Sequence, residues 1–382
     1  MTRRGLIASA AGIGGLGAVA TAIGFAVAPA QAAFSYLTAW TFALSIAVGA
    51  LIFLMIGHAV GARWTIVLQR FTEAVVGSLP VLAVLFVPIA WSARALYPWV
   101  APSPALGPDA LARLAHKAPY LNLSFWTVRA AIFLGIWIAI GELLARWSAP
   151  FPAWPARPAR VLSAAGLPAI GLTLTFAAFD WLMSLTPQWY STIFGLVYFA
   201  GGFVAALALI AVIANAARRV PEVATRVRAS HTGALGRLMF AFLVFWAYME
   251  LSQGLIIWIA NKPDEVPWYV ARGAGQWGGV FTVLVVGHFV LPCMVLLSRP
   301  LKRRPVLLAI AGAWLVAMHY LDVYWLVMPA LHRALAVHWL DLAAPCAVLG
   351  IATAIAAART RTRVAIATDD PRVAAAVGYE GS

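Results

Sequence analysis

Long apolar runs separated by short polar segments dominate this sequence. Ten of the runs are long enough to cross the hydrocarbon core of a bilayer, which takes roughly 20 helical residues. They lie at about 5–27, 34–60, 75–96, 123–144, 161–185, 192–215, 235–261, 276–297, 305–328 and 336–357. The pattern predicts an all-α polytopic membrane protein in which residues 1–358 form one transmembrane domain and 359–382 form a basic, flexible tail.

The first run also resembles a secretory signal. Arg3 and Arg4 precede the apolar stretch, and the small-residue string APAQAA follows it at 28–33. The stretch is longer than the roughly 7–15 residues of a signal core, so we predict a retained helix, with cleavage as the open alternative. Its four glycines, at 12, 14, 15 and 17, would let a neighbouring helix approach closely.

The composition excludes a soluble globule, because 63% of the residues are hydrophobic and only 10% are charged. The net charge of +14 comes from basic residues between the apolar runs, whereas nucleic-acid binding needs them clustered on one soluble face. The two cysteines, Cys293 and Cys346, each lie within an apolar run. They exclude a disulfide framework and a self-contained iron–sulfur site, so we expect any redox metal on a partner.

The distribution of Lys and Arg predicts the orientation. Twenty of the 27 basic residues fall on the side of the N-terminus, six fall on the other side, and Arg129 lies inside the fourth run. By the positive-inside rule both termini are cytoplasmic. The outer segments 102–119 and 261–275 are long enough to contact an extracytoplasmic partner, and LARLAHKA in the first predicts a short amphipathic helix.

Ionisable residues inside the runs are the candidate functional groups, because a charge near the bilayer centre costs roughly 2.5–3.5 kcal/mol. The outer half holds Asp180, Glu250, His319 and Asp322, with Arg129 near the same depth; His288 lies near the middle, and His58, Glu142 and Glu73 lie in the inner half. His319 and Asp322 are three residues apart and share a helix face. Together these residues predict a proton route across the membrane, since such groups take up and release protons.

Several of these residues also have plainer interpretations. Glu142 can form an i,i+4 ion pair with Arg146, and His58 and Glu73 are close enough to the headgroups to be solvated. Arg129 is expected to neutralise Asp180 or Glu250.

The sequence offers two possible binding motifs, one for haem and one for a dinucleotide. A bis-histidine haem would need His288 and His319 to face one cavity at matched depth. The GxGxxG string at Gly273, Gly275 and Gly278 follows no strand, so we interpret it as a turn with helix packing and not as a dinucleotide site.

Three longer strings join membrane acids to distinctive turns: FDWLMSLTPQWYSTIFG at 179–195, ELSQGLIIWIANKPDEVPWY at 250–269 and HYLDVYWLVMPALH at 319–332. FSYLTAW at 34–40 and GARW at 61–64 accompany them. With these motifs the chain resembles the ActF-type membrane subunit of bacterial alternative complex III.

That resemblance implies an NrfD-like fold of two four-helix bundles plus two further helices, in a bacterial cytoplasmic membrane. It implies a non-redox-centre subunit of a quinol:electron-acceptor oxidoreductase in an electron-transport chain. The chain itself would bind no cofactor, with menaquinol or ubiquinol nearby. The implied partners are a sister NrfD-like membrane subunit and extracytoplasmic subunits that carry iron–sulfur clusters and c-type haems. Its expected roles are a proton route and an anchor for those redox subunits; the alternatives are a pure scaffold or a quinone-binding subunit.

Overall fold

The computed structural model describes residues 2–103, 107–147, 157–359 and 376–379. Within these residues ten helices are long and apolar enough to cross a membrane, and we number them in chain order. They are α1 Arg3–Val27, α2 Pro29–Val60, α3 Arg63–Trp91, α4 Leu123–Trp147, α5 Arg157–Leu185, α6 Phe194–Ala217, α7 Ala229–Ala260, α8 Gly275–Leu297, α9 Pro305–Ala330 and α10 Leu340–Arg359. The all-α polytopic class is therefore confirmed, whereas most of the predicted tail lies outside the described residues.

The third helix departs most from the predicted bounds. It begins at Arg63 and not near residue 75. The polar residues before position 75, which the hydropathy pattern placed in a loop, form hydrogen bonds to one another within the helix. Gln69 and Arg70 both donate to the Glu73 carboxylate, at 2.7 and 3.1 Å. The helix is interrupted after Val76 and again after Val84. The segments that follow carry proline near their starts, where a missing N–H is tolerated.

Helix α2 forms the centre of the molecule, with 94% of its apolar window buried. It packs against α3, α5, α6, α9 and α10. Where it crosses α6 the two backbones touch: a Cβ on Gly202 would lie 2.8 Å from the Ser45 carbonyl oxygen, and one on Gly49 would lie 2.7 Å from the Gly202 carbonyl oxygen. This contact fixes Ser45 of α2 in the interior. The grouping of the helices into two bundles plus two stays a prediction.

The first helix packs along α10, as its glycines led us to expect. A Cβ on Gly14 would lie 2.7 Å from the Ile351 backbone nitrogen, and one on Gly17 would lie 2.4 Å from that of Ala347. At the N-terminal end of α1, Arg3 donates to the Ala357 and Ala358 carbonyls at 2.9 and 2.7 Å, which satisfies the C-terminal end of α10. The helix thus has a specific docking site in the fold.

One end of the helix assembly, which is the predicted outer face, joins the three long sequence motifs. Trp189 of the α5–α6 turn stacks on Trp268 of the surface helix Val266–Gly273, with ring centroids 4.1 Å apart. The Arg272 guanidinium also lies over the Trp268 ring, 3.7 Å from its centroid, and donates to the Leu326 carbonyl of α9 at 2.9 Å. Burial lowers the pKa of Arg272 to about 9. Residues far apart in the chain therefore close one end of the helix assembly together.

The predicted amphipathic helix on this face is present as Pro108–Lys117. Lys117 donates to the Pro187 carbonyl at 2.5 Å, so the helix covers the α5–α6 turn. Burial, with Arg113 nearby, lowers the pKa of Lys117.

The GxGxxG glycines form the turn into α8, as interpreted from the sequence. Gly275 has a φ of 55°, a conformation that favours glycine. A Cβ on Gly278 would lie 2.4 Å from the Gly273 carbonyl oxygen, so these residues are needed for a tight turn.

Candidate functional site

Four of the predicted site residues meet in the interior, on three different helices. His319 and Asp322 of α9 lie one turn apart, with Nδ1 and Oδ2 separated by 3.6 Å. The His288 ring of α8 lies 6.4 Å from the His319 ring, measured between centroids. Glu250 of α7 interacts electrostatically with Asp322, and His288 does so with both Asp322 and His319. We call Glu250, His288, His319 and Asp322 the acid–imidazole cluster.

Ser45 determines how His319 presents its two nitrogens. The Ser45 hydroxyl donates to the Phe42 carbonyl at 2.8 Å, and its oxygen lies 2.8 Å from His319 Nε2. Because a hydroxyl has one proton, its oxygen accepts from Nε2–H, which assigns the tautomer from the hydrogen-bond network. Nδ1 then directs a lone pair towards Asp322, unless the ring is protonated. One proton held by either the imidazole or the carboxyl relieves the repulsion between these two acceptors.

Helix α6 makes room for this pair. A Cβ on Gly201 would lie 3.0 Å from His319 Cε1 and 3.2 Å from Asp322 Oδ2. The imidazole and the carboxylate therefore rest directly on the α6 backbone, where a larger side chain would displace them.

His288 lies in a π-helical segment, Leu284–Val290, which precedes Pro292. Proline cannot bond to the carbonyl four residues earlier and clashes with it, which accounts for the altered register. Trp314 of α9 donates to the Gly287 carbonyl in this segment at 2.6 Å. The His288 ring packs on Trp246, with centroids 4.1 Å apart. In the described part of the chain neither of its buried nitrogens has a hydrogen-bond partner.

Two further polar side chains extend the cluster towards the outer face, and sequence reasoning missed them. Gln253 follows Glu250 by one turn and is 2% exposed. The Tyr269 hydroxyl faces both residues. Among the described residues, Glu250 Oε1, both Gln253 amide atoms and the Tyr269 hydroxyl are buried without a hydrogen bond of normal geometry, although Tyr269 lies close enough to Gln253 to interact with it. Such groups cost about 1–3 kcal/mol each when left unpaired, so this region suits water or a polar ligand.

Asp180, by contrast, forms a separate site with Arg129. The Arg129 guanidinium, on α4, donates to both carboxylate oxygens of Asp180, on α5, at 2.7 and 2.8 Å. The rings of Tyr120 and Phe125 cover it, 3.8 and 4.4 Å from the guanidinium carbon. Arg129 therefore pairs with Asp180, one of the two partners expected for it, and this pair is sealed by packing.

The central helix α2 stands between the two sites. Trp40 on one face contacts Trp181 of α5, with centroids 4.9 Å apart, whereas Ser45 on the other face contacts His319 of α9. The structure thus brings together three of the four outer candidates and places Asp180 elsewhere.

The inner candidates lie at the opposite end of the helices. Glu73 and Glu142 line one crevice between α3, α4 and α10. Glu142 forms its ion pair with Arg359 of α10 and not with Arg146, the expected i,i+4 partner. His58 is buried in the last turn of α2.

A second polar network, also missed, surrounds Asp341 at the start of α10. One carboxylate oxygen accepts from Ser35 at 2.6 Å and from Gln31 at 3.0 Å. The other accepts from the Tyr324 hydroxyl at 3.1 Å and from the His338 backbone at 2.9 Å. Asp341 falls inside the tenth predicted run, so the criterion applied to the other acids would have found it.

The arrangement of the histidines bears on the haem alternative. Both nitrogens of His319 face other groups, Ser45 and Asp322, so the ring as placed does not present one to an iron shared with His288. Within the described residues no group of three or more His, Cys, Asp and Glu side chains is arranged to hold a metal ion.

Comparison with known protein families finds no match, and comparison with curated proteins finds none either. The similarity to ActF-type subunits therefore remains the prediction that the sequence motifs make.

Proposed function

We propose that this chain is an integral membrane subunit of a quinol-oxidising electron-transfer complex and that its acid–imidazole cluster carries protons through the outer half of the membrane. The observation that supports proton transfer is the convergence of Glu250, His288, His319 and Asp322 from three helices into one buried site. Membership of the complex follows from the sequence motifs alone. The redox centres and the quinol-oxidising site would lie on partner subunits.

The chemistry assigned to the cluster is proton exchange between neighbouring groups. Ser45 holds the His319 ring so that Nδ1 faces Asp322, which allows a proton to pass between them. Glu250 interacts electrostatically with Asp322 and is the next group along the route. From Glu250 the buried polar atoms of Gln253 and Tyr269 continue towards the outer face. Buried carboxyl and imidazole groups are the usual members of intramembrane proton relays.

Neutral substitutions of the two carboxyls test the proposal. Asp322→Asn and Glu250→Gln keep the side-chain shape and remove the exchangeable proton. We expect the rate of proton movement to fall at least about tenfold in the assembled complex, since a positioned proton-transfer group typically contributes 10²–10⁴-fold to a rate. Proton movement is measured in vesicles that contain the purified complex, alongside electron transfer and subunit composition. Wild-type proton movement in both variants would remove the cluster from the mechanism.

The scaffold alternative makes the opposite prediction, so the same variants distinguish it. A purely structural role would change the yield of assembled complex and leave its turnover unaltered. Glu222→Gln is the matched control, because Glu222 is an exposed acid on the short helix Pro221–Arg226, away from the cluster.

A groove beside the cluster supports the second candidate, a quinone-binding subunit. It measures about 460 Å³ and lies between the outer end of α7 and the surface helix Val266–Gly273, with Tyr269 and Gly254 in its wall. A side chain at Gly254 would contact Tyr269, since a Cβ there would lie 3.7 Å from the ring. Gly254→Leu would therefore fill the groove. A tenfold weaker affinity for a fluorescence-quenching quinone analogue would favour this candidate, and unchanged affinity would count against it.

A further inference from the structure

A crevice of about 530 Å³ opens between α3, α4 and α10, at the end of the molecule that carries most of the basic residues. Leu54 of α2 forms its floor. Helix α10 packs against α1, α2 and α3, whereas α4 packs against α3 and α5, so α3 backs the space between α4 and α10. The volume falls within the roughly 300–1,000 Å³ typical of small-molecule sites.

The local sequence explains why the space is present. Helix α3 breaks between Val76 and Leu79, and Gly77 at the break has no side chain. On the facing helix Gly141 also lacks one, and a Cβ there would lie 2.9 Å from Val76. The Val76 side chain of α3 therefore packs directly against the α4 main chain at Gly141, and the longer side chains around this contact line the crevice.

Charges of both signs line the opening. Arg70 donates to Glu73 at 3.1 Å on one side, and Arg359 pairs with Glu142 on the other. The side chains are 39% and 10% exposed in the first pair and 41% and 35% exposed in the second. Each guanidinium has five N–H donors, and these ion pairs use only part of them. Donors and carboxylate oxygens thus remain accessible to a molecule in the crevice.

Apolar side chains form the rest of the wall. Leu54, Val76, Leu79 and Ile138 line the same space as the four charged groups. Glu142 lies five residues before the end of α4, about 7.5 Å along the axis, which places the charges near the level of lipid headgroups. A molecule that fits both parts has a compact charged end and a hydrocarbon chain.

We infer that this crevice binds one phospholipid of the phosphatidylethanolamine class. Its phosphate would accept hydrogen bonds from Arg70 and Arg359, and its primary ammonium would donate to Glu73 and Glu142. The two guanidinium and two carboxylate groups together carry no net charge, and this headgroup is also neutral overall. A phosphatidylglycerol would bring an uncompensated negative charge to two carboxylates, and a choline headgroup has no N–H to donate. The inference concerns residues that the acid–imidazole cluster does not use.

Lipid retention tests the inference without any turnover assay. The protein is purified from its own membrane with its natural subunits, transferred to vesicles with equal phosphatidylethanolamine and phosphatidylglycerol, and re-extracted in detergent. Mass spectrometry then counts the lipids retained per complex. We expect Glu73→Gln/Glu142→Gln to lower the preference for phosphatidylethanolamine at least about tenfold, because charge-assisted hydrogen bonds to its ammonium are lost. Arg70→Gln/Arg359→Gln should release about one lipid of this class.

Two further variants keep the test decisive if a charge substitution impairs folding. Ile138→Trp leaves all four charges in place and fills the crevice from its apolar side, so it should also release the lipid. Arg219→Gln/Glu222→Gln removes two exposed charges outside the crevice, and this variant should retain the lipid. Equal lipid ratios in all variants, or a wild-type preference for phosphatidylglycerol, would overturn the inference. Either result leaves the proton proposal untouched, because Asp322 and Glu250 are unchanged.

Discussion

Removing one partner of the Arg129–Asp180 pair should destabilise the protein strongly. Arg129→Met leaves a carboxylate that is 0% exposed without its two hydrogen bonds of 2.7 and 2.8 Å. Breaking such a pair typically costs about 3–5 kcal/mol, because the remaining charge stays buried and unpaired. The backbone carbonyl of Asp180 keeps its own donors, Trp126 at 3.0 Å and Ser184 at 2.7 Å. The local helix ending should therefore survive, which confines the effect to the charge.

The double variant Arg129→Met/Asp180→Leu separates the charge from the packing. Replacing both partners with apolar side chains of similar size is often neutral or stabilising. We therefore expect the free energy of unfolding of the double variant to lie within about 1 kcal/mol of the wild-type value. Unfolding is followed by intrinsic fluorescence in detergent. The surface pair Arg113–Asp264, with atoms 3.8 Å apart and both side chains at least half exposed, provides the control. Arg113→Met should cost less than about 1 kcal/mol.

Two results would refute this reasoning. An Arg129→Met variant as stable as the Arg113→Met control would show that the buried carboxylate does not need its partner. Alternatively, a stable double variant that has lost proton movement would assign Asp180 to the proton route and not to an anchoring role.

Three further predictions follow from the packing and the orientation. Gly17→Leu should separate α1 from α10 and cost about 1–3 kcal/mol, since its Cβ would lie 2.4 Å from the Ala347 backbone; cross-linking between the helices reports the separation. Trp268→Ala removes the stack on Trp189 and the contact with Arg272, and should lower the free energy of unfolding by about 3–5 kcal/mol in denaturant titrations. A membrane-impermeant amine reagent should label Lys117 and Lys262 from outside intact cells but not in sealed inverted vesicles.

Each of these has a matched comparison. Gly12→Leu should be harmless because nothing lies within 4 Å of a Cβ there, and equal cross-linking in both glycine variants would contradict the α1–α10 packing. Trp258, which is 76% exposed, should tolerate alanine, and similar losses at Trp258 and Trp268 would argue against the outer stack. Lys262, whose side chain is 61% exposed, is the more informative of the two lysines, and labelling of Lys262 only in inverted vesicles would reverse the predicted orientation.

Some functional features were readable from the sequence and some were not. His319 and Asp322 were paired correctly because their three-residue spacing fixes a shared helix face whatever surrounds it. Asp180 was grouped with them by depth alone, and depth does not say which helix stands between two residues. Arg129 was given two possible partners for the same reason. Gln253 was overlooked because a neutral polar residue in an apolar run carries no charge signal, and Tyr269 was overlooked because it lies in the segment 261–275, between two runs.

The sequence by itself determined the class of the protein and its ten membrane helices, because the hydrocarbon core requires long apolar segments with internally bonded backbones. It also predicted an approximate depth for each acid and imidazole. Only the tertiary structure decided which of them meet: α2 lies between Asp180 and His319, and α3 brings Glu73 to the crevice that holds Glu142. Hydropathy is a property of each segment, whereas contact depends on the rotation and order of helices, which close backbone approaches such as Gly49–Gly202 fix.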